Sequence, residues 1–344
     1  MVVGMSNFVI GLLLVILAGT LAGSSSAPIK LMRTLRYEHW SLVSTIVGML
    51  VLPWTVLLLS VDASSALADI PMSVLVRANC FSLAWGIANV LARLCLVRIG
   101  FSLSIGLLTG IGLPIGVLVP MVFRGSGLFA NAPSLFSRAG AFIVPGILVV
   151  LVAVALIAMA GFGKDAAQSA AAATKSGFAG GLVMAATAGF LQVGLSFAFV
   201  YSQGPITDAL AANGAGPVGA LAGLWAFALP GGLLVNVGHP LWRLWRNASW
   251  GGFARAPSEL WLCVLIGILF GAFIIAMGMG MRLMGALGAS VGFGIYQAMQ
   301  VASSQTVGVV AGEWRGVPAK PKRQMAVAML LLLLAVGLFA AAKW

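Results

Sequence analysis

Three polar side chains recur along one apolar run towards the end of the chain: Gln297, Gln300 and Ser304. Their spacing puts them on one face of a helix, beside Tyr296. Two amides and a hydroxyl offer donors and acceptors without net charge, which suits a neutral polyol. The plainer alternative is a seam of interhelical hydrogen bonds, worth about 0.6 kcal/mol per contact inside a membrane. Trp85 and Asn89, one helical turn apart, form a second pair. An indole face can stack on the apolar face of a sugar while the amide holds a hydroxyl; a packing tryptophan with an interhelical amide is the alternative. Gln192 with Ser196 repeats that arrangement, and Asn236 adds another amide. These eight residues are the substrate-binding candidates.

The elements that must carry them are almost free of charge. Only 8% of the 344 residues are charged and the mean hydropathy is +1.10, against roughly 25% charged in a soluble domain. Ten stretches contain no Asp, Glu, Lys or Arg: Met1–Ile29, His39–Val61, Ala78–Ala92, Ile99–Phe123, Ala139–Gly163, Ser176–Thr207, Ala209–Trp242, Leu260–Met281, Leu283–Gly312 and Gln324–Ala342. A bilayer core about 30 Å thick needs about 20 apolar residues in helix. All but the third are long enough, and the third is bracketed by Arg77 and Arg93, whose heads can snorkel to the interface. The pattern predicts an all-α membrane protein with ten spans, near 7–27, 40–60, 73–96, 102–123, 140–161, 177–200, 216–239, 260–281, 288–311 and 324–342. The net charge of +12 sits in short clusters between spans, so it reads as membrane topology and not as a nucleic-acid face. Cys80, Cys95 and Cys263 have neither framework nor metal-ligand spacing and read as packing residues.

Charge also orients the chain. Loops after odd-numbered spans carry 14 of the 19 Lys and Arg residues, including Lys30, Arg33, Arg36, Lys164, Lys175, Arg243, Arg246, Arg315 and Lys322. The other side has Arg77, Arg124, Arg138, Arg282 and Lys343. The excess places the odd loops in the cytoplasm and both termini outside. Met1–Asn7 lacks the basic region of a signal peptide, so the first stretch reads as a retained span.

The chain halves at an Ala- and Gln-rich linker, 164–176, between five-span segments 1–163 and 177–344. An odd span count inverts the second half relative to the first, the plan of many secondary transporters. Gly11-Leu12, Ala18-Gly19, Leu21 and Ser26 match Gly181-Leu182, Ala188-Gly189, Leu191 and Ser196; Pro53 matches Pro230; Ile99-Gly100-x-Ser102 echoes Leu287-Gly288-x-Ser290. Proline within Pro53, Pro114, Pro145 and Pro230 segments frees backbone carbonyls, and Gly106-x-x-x-Gly110 and Gly112-x-x-x-Gly116 permit close helix approach.

In order along the chain, Leu52-Pro53-Trp54, Trp85-Gly86-Ile87-x-Asn89, Gly100-x-Ser102-x-x-Ile105-Gly106, Ser196-Phe197-Ala198, Asn236-x-Gly238 and Glu313-Trp314 resemble the L-rhamnose–proton symporter family of the drug/metabolite transporter superfamily. The basic cluster before Trp40-Ser41 fits as well. The chain departs from the family at Gly288-Ala289-Ser290-Val291, where an acidic residue and aromatics are expected, and around Leu91-Ala92, where a tyrosine is expected.

The resemblance implies proton-coupled import of a small neutral sugar by alternating access, in a bacterial inner membrane. Proton gradient takes the place of a cofactor, and the partners are sugar, proton and lipid. It also implies that the eight polar positions face one central cavity. Proton coupling requires a titratable group. No carboxylate lies deep in any span, and Asp208 and Glu313 match acidic positions of the family. A helix cap at Asp208 and an interfacial pair at Glu313 are their structural alternatives; His39 and His239 read as interfacial. Another drug/metabolite activity, such as efflux of a different metabolite, is the competing function. No HExxH, paired-acid or Ser/His constellation speaks for an enzyme, and no phosphate-binding loop for ATP-driven transport.

Overall fold

A computed structural model describes residues 2–25, 27–99, 101–123, 132–168 and 178–344. Its α-helices, in chain order, are α1 (Val2–Ser24), α2 (Tyr37–Thr45), α3 (Leu52–Ser60), α4 (Ala63–Ala68), α5 (Met72–Ile99), α6 (Phe101–Val122), α7 (Arg138–Gln168), α8 (Phe178–Leu191), α9 (Gly194–Ala212), α10 (Pro217–Ala228), α11 (Pro230–Arg246), α12 (Gly251–Arg255), α13 (Leu260–Leu283), α14 (Phe293–Val310) and α15 (Ala319–Ala341). No strand occurs among the described residues. In hydrocarbon every backbone polar group must be satisfied within the segment, so apolar runs of this length become helices.

Among the described residues, seven helical runs are long and apolar enough to cross a bilayer: Met5–Leu31, Tyr37–Ser60, Met72–Cys95, Arg138–Lys164, Ala179–Ala212, Pro257–Leu283 and Ala319–Ala341. The pair α10 and α11, bent by 59° at Leu229, gives an eighth if the two count as one broken span. The chain is therefore an all-helical, multi-pass membrane protein. The fourth of the ten expected spans is carried by α6, 22 residues long, and the ninth falls short of that standard. In the ninth, a π-helical turn at Gly288–Gly292 precedes α14, and Gln297, Gln300 and Gln305 make α14 more polar. Ser26, Gly100, Arg124, Lys175 and linker residues 169–176 lie outside the described residues, while Asp165–Gln168 continue α7.

Two compact units divide the chain: Met1–Gly23 with Leu91–Val193 and Gly280–Trp344, and Ser24–Val90 with Gly194–Met279. Each draws segments from both sequence halves. In the first, α15 lies along α7 and against α14, and α6 packs on α7 and α8. The fully buried Phe339 ring fits where Gly146 and Gly294 leave no side chain. Helix α1 meets α14 through Gly19 and Gly23, where a Cβ would lie 2.6 Å from the Tyr296 carbonyl and 2.4 Å from that of Gln300. Lipid tails are as apolar as leucine, so such close van der Waals contact holds these helices together.

In the second unit, α10 packs on α3 and α9, and α11 on α2. Trp225 is fully buried, stacks on Phe199 at 5.5 Å and donates from Nε1 to the Ile274 carbonyl at 3.1 Å. The second span changes to a π-helical turn, Ile46–Val51, just ahead of Pro53. Proline supplies no N–H to the ladder, and Leu52 donates instead to Val47, five residues back.

Candidate functional site

The bend at Leu229–Pro230 starts the site in the second unit. Helix α11 begins there with N–H groups that have no partner in their own helix. Helix α5 supplies partners: Asn79 Oδ1 accepts from the Gly231 N–H at 2.8 Å, and Ser82 Oγ accepts from the Gly232 N–H at 3.1 Å. Asn79 Nδ2 also donates to the Phe227 carbonyl, at 2.9 Å, on the other side of the bend. The helices must approach closely for this, and a Cβ on Gly231 would sit 2.1 Å from the Asn79 carbonyl oxygen. One turn on, Gly86 faces Gly232, and a further turn brings Asn89 to Asn236. Asn79, Ser82, Gly86 and Asn89 thus form one stripe of α5 along α11.

Asn236 is 2% exposed. Its Nδ2 donates to the Gly232 carbonyl at 2.9 Å, and its Oδ1 accepts from Asn89 Nδ2 at 3.3 Å. Asn89 is half-buried, and its Oδ1 has no partner among the described residues. It is an acceptor already oriented by a neighbour, able to take a substrate hydroxyl. The Trp85 indole is buried against Gly232 and lies 5.9 Å from the Phe270 ring, as the packing alternative anticipated. Ser196 is 1% exposed, and its Oγ has no partner among the described residues. An unpaired buried hydroxyl costs about 1–3 kcal/mol, unless a ligand or water completes it.

In the first unit, α14 carries Gln297 buried and Gln300 and Ser304 half-buried. Ser304 Oγ donates to the Val301 carbonyl at 2.9 Å, and the adjacent Ser303 donates to the Thr20 carbonyl of α1 at 2.9 Å. The face towards α1 is therefore held by Ser303 and by glycines. Gln192 follows α8, and its Nε2 donates to the Leu108 carbonyl at 2.5 Å, in the space left by Gly112. That amide stitches α8 to α6 and keeps its second N–H and its carbonyl oxygen for a substrate. The structure thus pairs Asn89 with Asn236 in one unit, and it groups Gln297, Gln300 and Ser304 on one helix of the other.

The titratable residues separate by surroundings. Asp208 lies inside α9 with its side chain exposed, because the helix continues through Pro205; it is not the helix cap considered from the sequence. Glu313 Oε2 lies 3.2 Å from Lys164 Nζ, which is also 5.5 Å from the Trp314 ring centroid. His39 is buried and bonded through both ring nitrogens. Nδ1 accepts from the Arg36 N–H, so Nε2 must donate to the Ser249 carbonyl 2.8 Å away. This is a capping role and leaves no nitrogen for a relay. His239 Nδ1 meets the Tyr37 hydroxyl at 3.1 Å.

Sequence reasoning passed over Glu38. Helix α2 starts at Tyr37, ahead of the expected boundary, and includes it. Its carboxylate is 1% exposed, accepts from Asn247 Nδ2 and Ser249 Oγ, and faces Arg243 Nε at 3.8 Å. Asn79 and Ser82 were also passed over, although they precede Asn89 at helical spacing. No group of three or more His, Cys, Asp or Glu side chains could hold a metal among the described residues.

Apolar spans, a proline-broken helix and neutral amides inside the bundle define a multi-pass membrane protein with polar sites between its helices. The profile of the L-rhamnose-proton symport protein (RhaT) family matches residues 5–342, and the chain belongs to that family. It is a family of transporters, not enzymes. The chain is 26% identical over 331 residues to the L-rhamnose-proton symporter of Klebsiella pneumoniae subsp. pneumoniae, covering 92% of this chain and 94% of that one. It is 25% identical to those of Citrobacter koseri, over 323 residues, and Salmonella typhimurium, over 320 residues; each match covers 91% of both chains.

Proposed function

We propose that the chain imports L-rhamnose, or a closely related small neutral sugar, together with protons by alternating access. The observation that carries this is the family match along almost the whole length. The Asn89–Asn236 pair supports a neutral substrate, since it offers hydrogen bonds without a counter-charge. Trp85, Asn89, Ser196 and Asn236 in one unit, and Gln192, Gln297, Gln300 and Ser304 in the other, are the proposed sugar contacts. The proton gradient drives transport without a cofactor, and Glu313 and Asp208 are the proposed proton carriers. Glu313 is favoured, because its protonation would dissolve the ion pair with Lys164 and so change the contacts of α7.

The proposed architecture is ten spans in two inverted repeats, 1–163 and 177–344, joined by a cytoplasmic linker at 164–176. The compact units support it: their borders fall in the first and sixth spans, after Gly23 and Val193, and in the third and eighth, after Val90 and Met279. Those are corresponding positions in a five-plus-five plan. The proposed setting is a bacterial inner membrane, with both termini outside and no nucleic-acid partner. Proteoliposomes decide the main point. Adding L-rhamnose outside should alkalinise the medium as sugar and protons enter. If neither L-rhamnose nor any of a panel of neutral sugars alkalinises the medium, proton symport of neutral sugars is the wrong function.

A further inference from the structure

The turn between α14 and α15 shapes a cavity of about 470 Å³ in the first unit. Gly312 ends α14 at φ +81°, a left-handed conformation that glycine adopts without strain. The Glu313 N–H then donates back to the Gly308 carbonyl at 3.1 Å, closing the helix. Gly312 also leaves room for Arg315, whose Nε lies 3.1 Å from where a Cβ would stand. Arg315 consequently projects beside the cavity, with Lys322 of the first turn of α15 on the same wall. Neither side chain has an ion-pair, hydrogen-bond or ring partner among the described residues. The rest of the wall is apolar or aromatic: Val309, Trp314, Met325, Ala326 and Met329. Trp314 is 7% exposed and closes the inner side, while Val309 is open to the surroundings.

We propose that this cavity binds one anionic phospholipid. Its phosphodiester is held between Arg315 and Lys322, and the start of an acyl chain lies along Met325 and Met329. Three observations select that occupant. The two cations lack an acid, and a planar guanidinium matches phosphate oxygens in bidentate fashion. The apolar wall continues into α15, a helix long and apolar enough to span, so the site lies where headgroups meet tails. A second copy of the chain joined about a twofold axis would bring the same two cations to the same place and be repelled. A sugar would find no acceptor along the wall.

The test is native mass spectrometry of the full chain released from vesicles of phosphatidylcholine with one-fifth phosphatidylglycerol. The wild type should retain one phosphatidylglycerol in preference to phosphatidylcholine. Arg315→Gln with Lys322→Gln should cut that adduct about tenfold. The control pair Arg138→Gln with Lys343→Gln removes equal charge away from the cavity and should leave it unchanged. Ala326→Trp fills the cavity with both cations intact, should also lose the adduct, and serves if the first variant does not fold. Equal loss in the control pair would reduce the effect to net charge. Equal retention of phosphatidylcholine, or full competition by glycerol phosphate without chains, would overturn a lipid site.

Discussion

A single amide pair is the sharpest feature of the proposed sugar site. Asn236 fixes Asn89 by accepting its Nδ2 proton, and Asn89 Oδ1 is then an acceptor held in place. A neutral hydrogen bond is worth about 0.5–1.5 kcal/mol net. Asn89→Ala should therefore raise the apparent KM for L-rhamnose by about 3- to 10-fold, with the unfolding temperature in detergent little changed. Asn236→Ala should do the same indirectly, and the double variant should be no worse than either single one, because both act through one acceptor. Fully additive losses in uptake assays would mean that the two amides bind separately. At Glu313, substitution by Gln keeps shape but carries no titratable proton. Counterflow of labelled sugar should persist in Glu313→Gln while proton-driven accumulation is lost. Accumulation at the wild-type level would remove Glu313 and leave Asp208 as the proposed carrier.

At the scale of elements, the broken seventh span depends on α5. Asn79 bridges the bend, accepting from Gly231 and donating to Phe227. Asn79→Ala strands a buried donor and a buried acceptor, at about 1–3 kcal/mol for each unsatisfied group. A clear drop in the unfolding temperature is expected, larger than for Asn89→Ala; an unchanged one would show that the bend stands without the bridge. This is also where the sequence reached its limit. Pro230 announced a break in the seventh span, and the charge pattern located eight spans, although the helices of the sixth and seventh run on past their expected ends, to Ala212 and Arg246. Neither signal tells which neighbour caps the freed donors, since Asn79 and Gly231 lie 152 positions apart. Helical spacing could have connected Asn79 and Ser82 to Asn89, but a stripe of that kind is equally compatible with simple packing. Gln192 shows the converse: an amide that suited a substrate also has a structural partner, the Leu108 carbonyl. In the ninth span, composition could not separate a binding helix from a polar, π-interrupted one, because the two have the same residues.

For the whole molecule, the polar contacts fit the grouping of loops expected from the ten-span plan. Glu38 meets Arg243, Asn247 and Ser249, and Glu259 accepts from the N–H groups of Arg33, Thr34 and Leu35. Both contacts join the region after the first span to the region after the seventh. Lys164 with Glu313 joins the ends of the fifth and ninth. Asp69 with Asn213, at 2.8 Å, instead joins the loops after the second and sixth. In the proposed ten-span plan, odd loops touch only odd loops in these contacts, and even loops only even ones. An error of one in the span count between partners would put them on opposite faces of the bilayer. The proposed orientation, from the positive excess, puts the odd side in the cytoplasm. Single cysteines, placed where Cys80, Cys95 and Cys263 are first replaced by serine, can read this directly. In intact cells a membrane-impermeant maleimide should label Ala68→Cys and Ala212→Cys. Ser258→Cys and Ala319→Cys should react only after permeabilisation. The opposite pattern would invert the protein, while labelling of one member of each pair would break the five-plus-five plan itself.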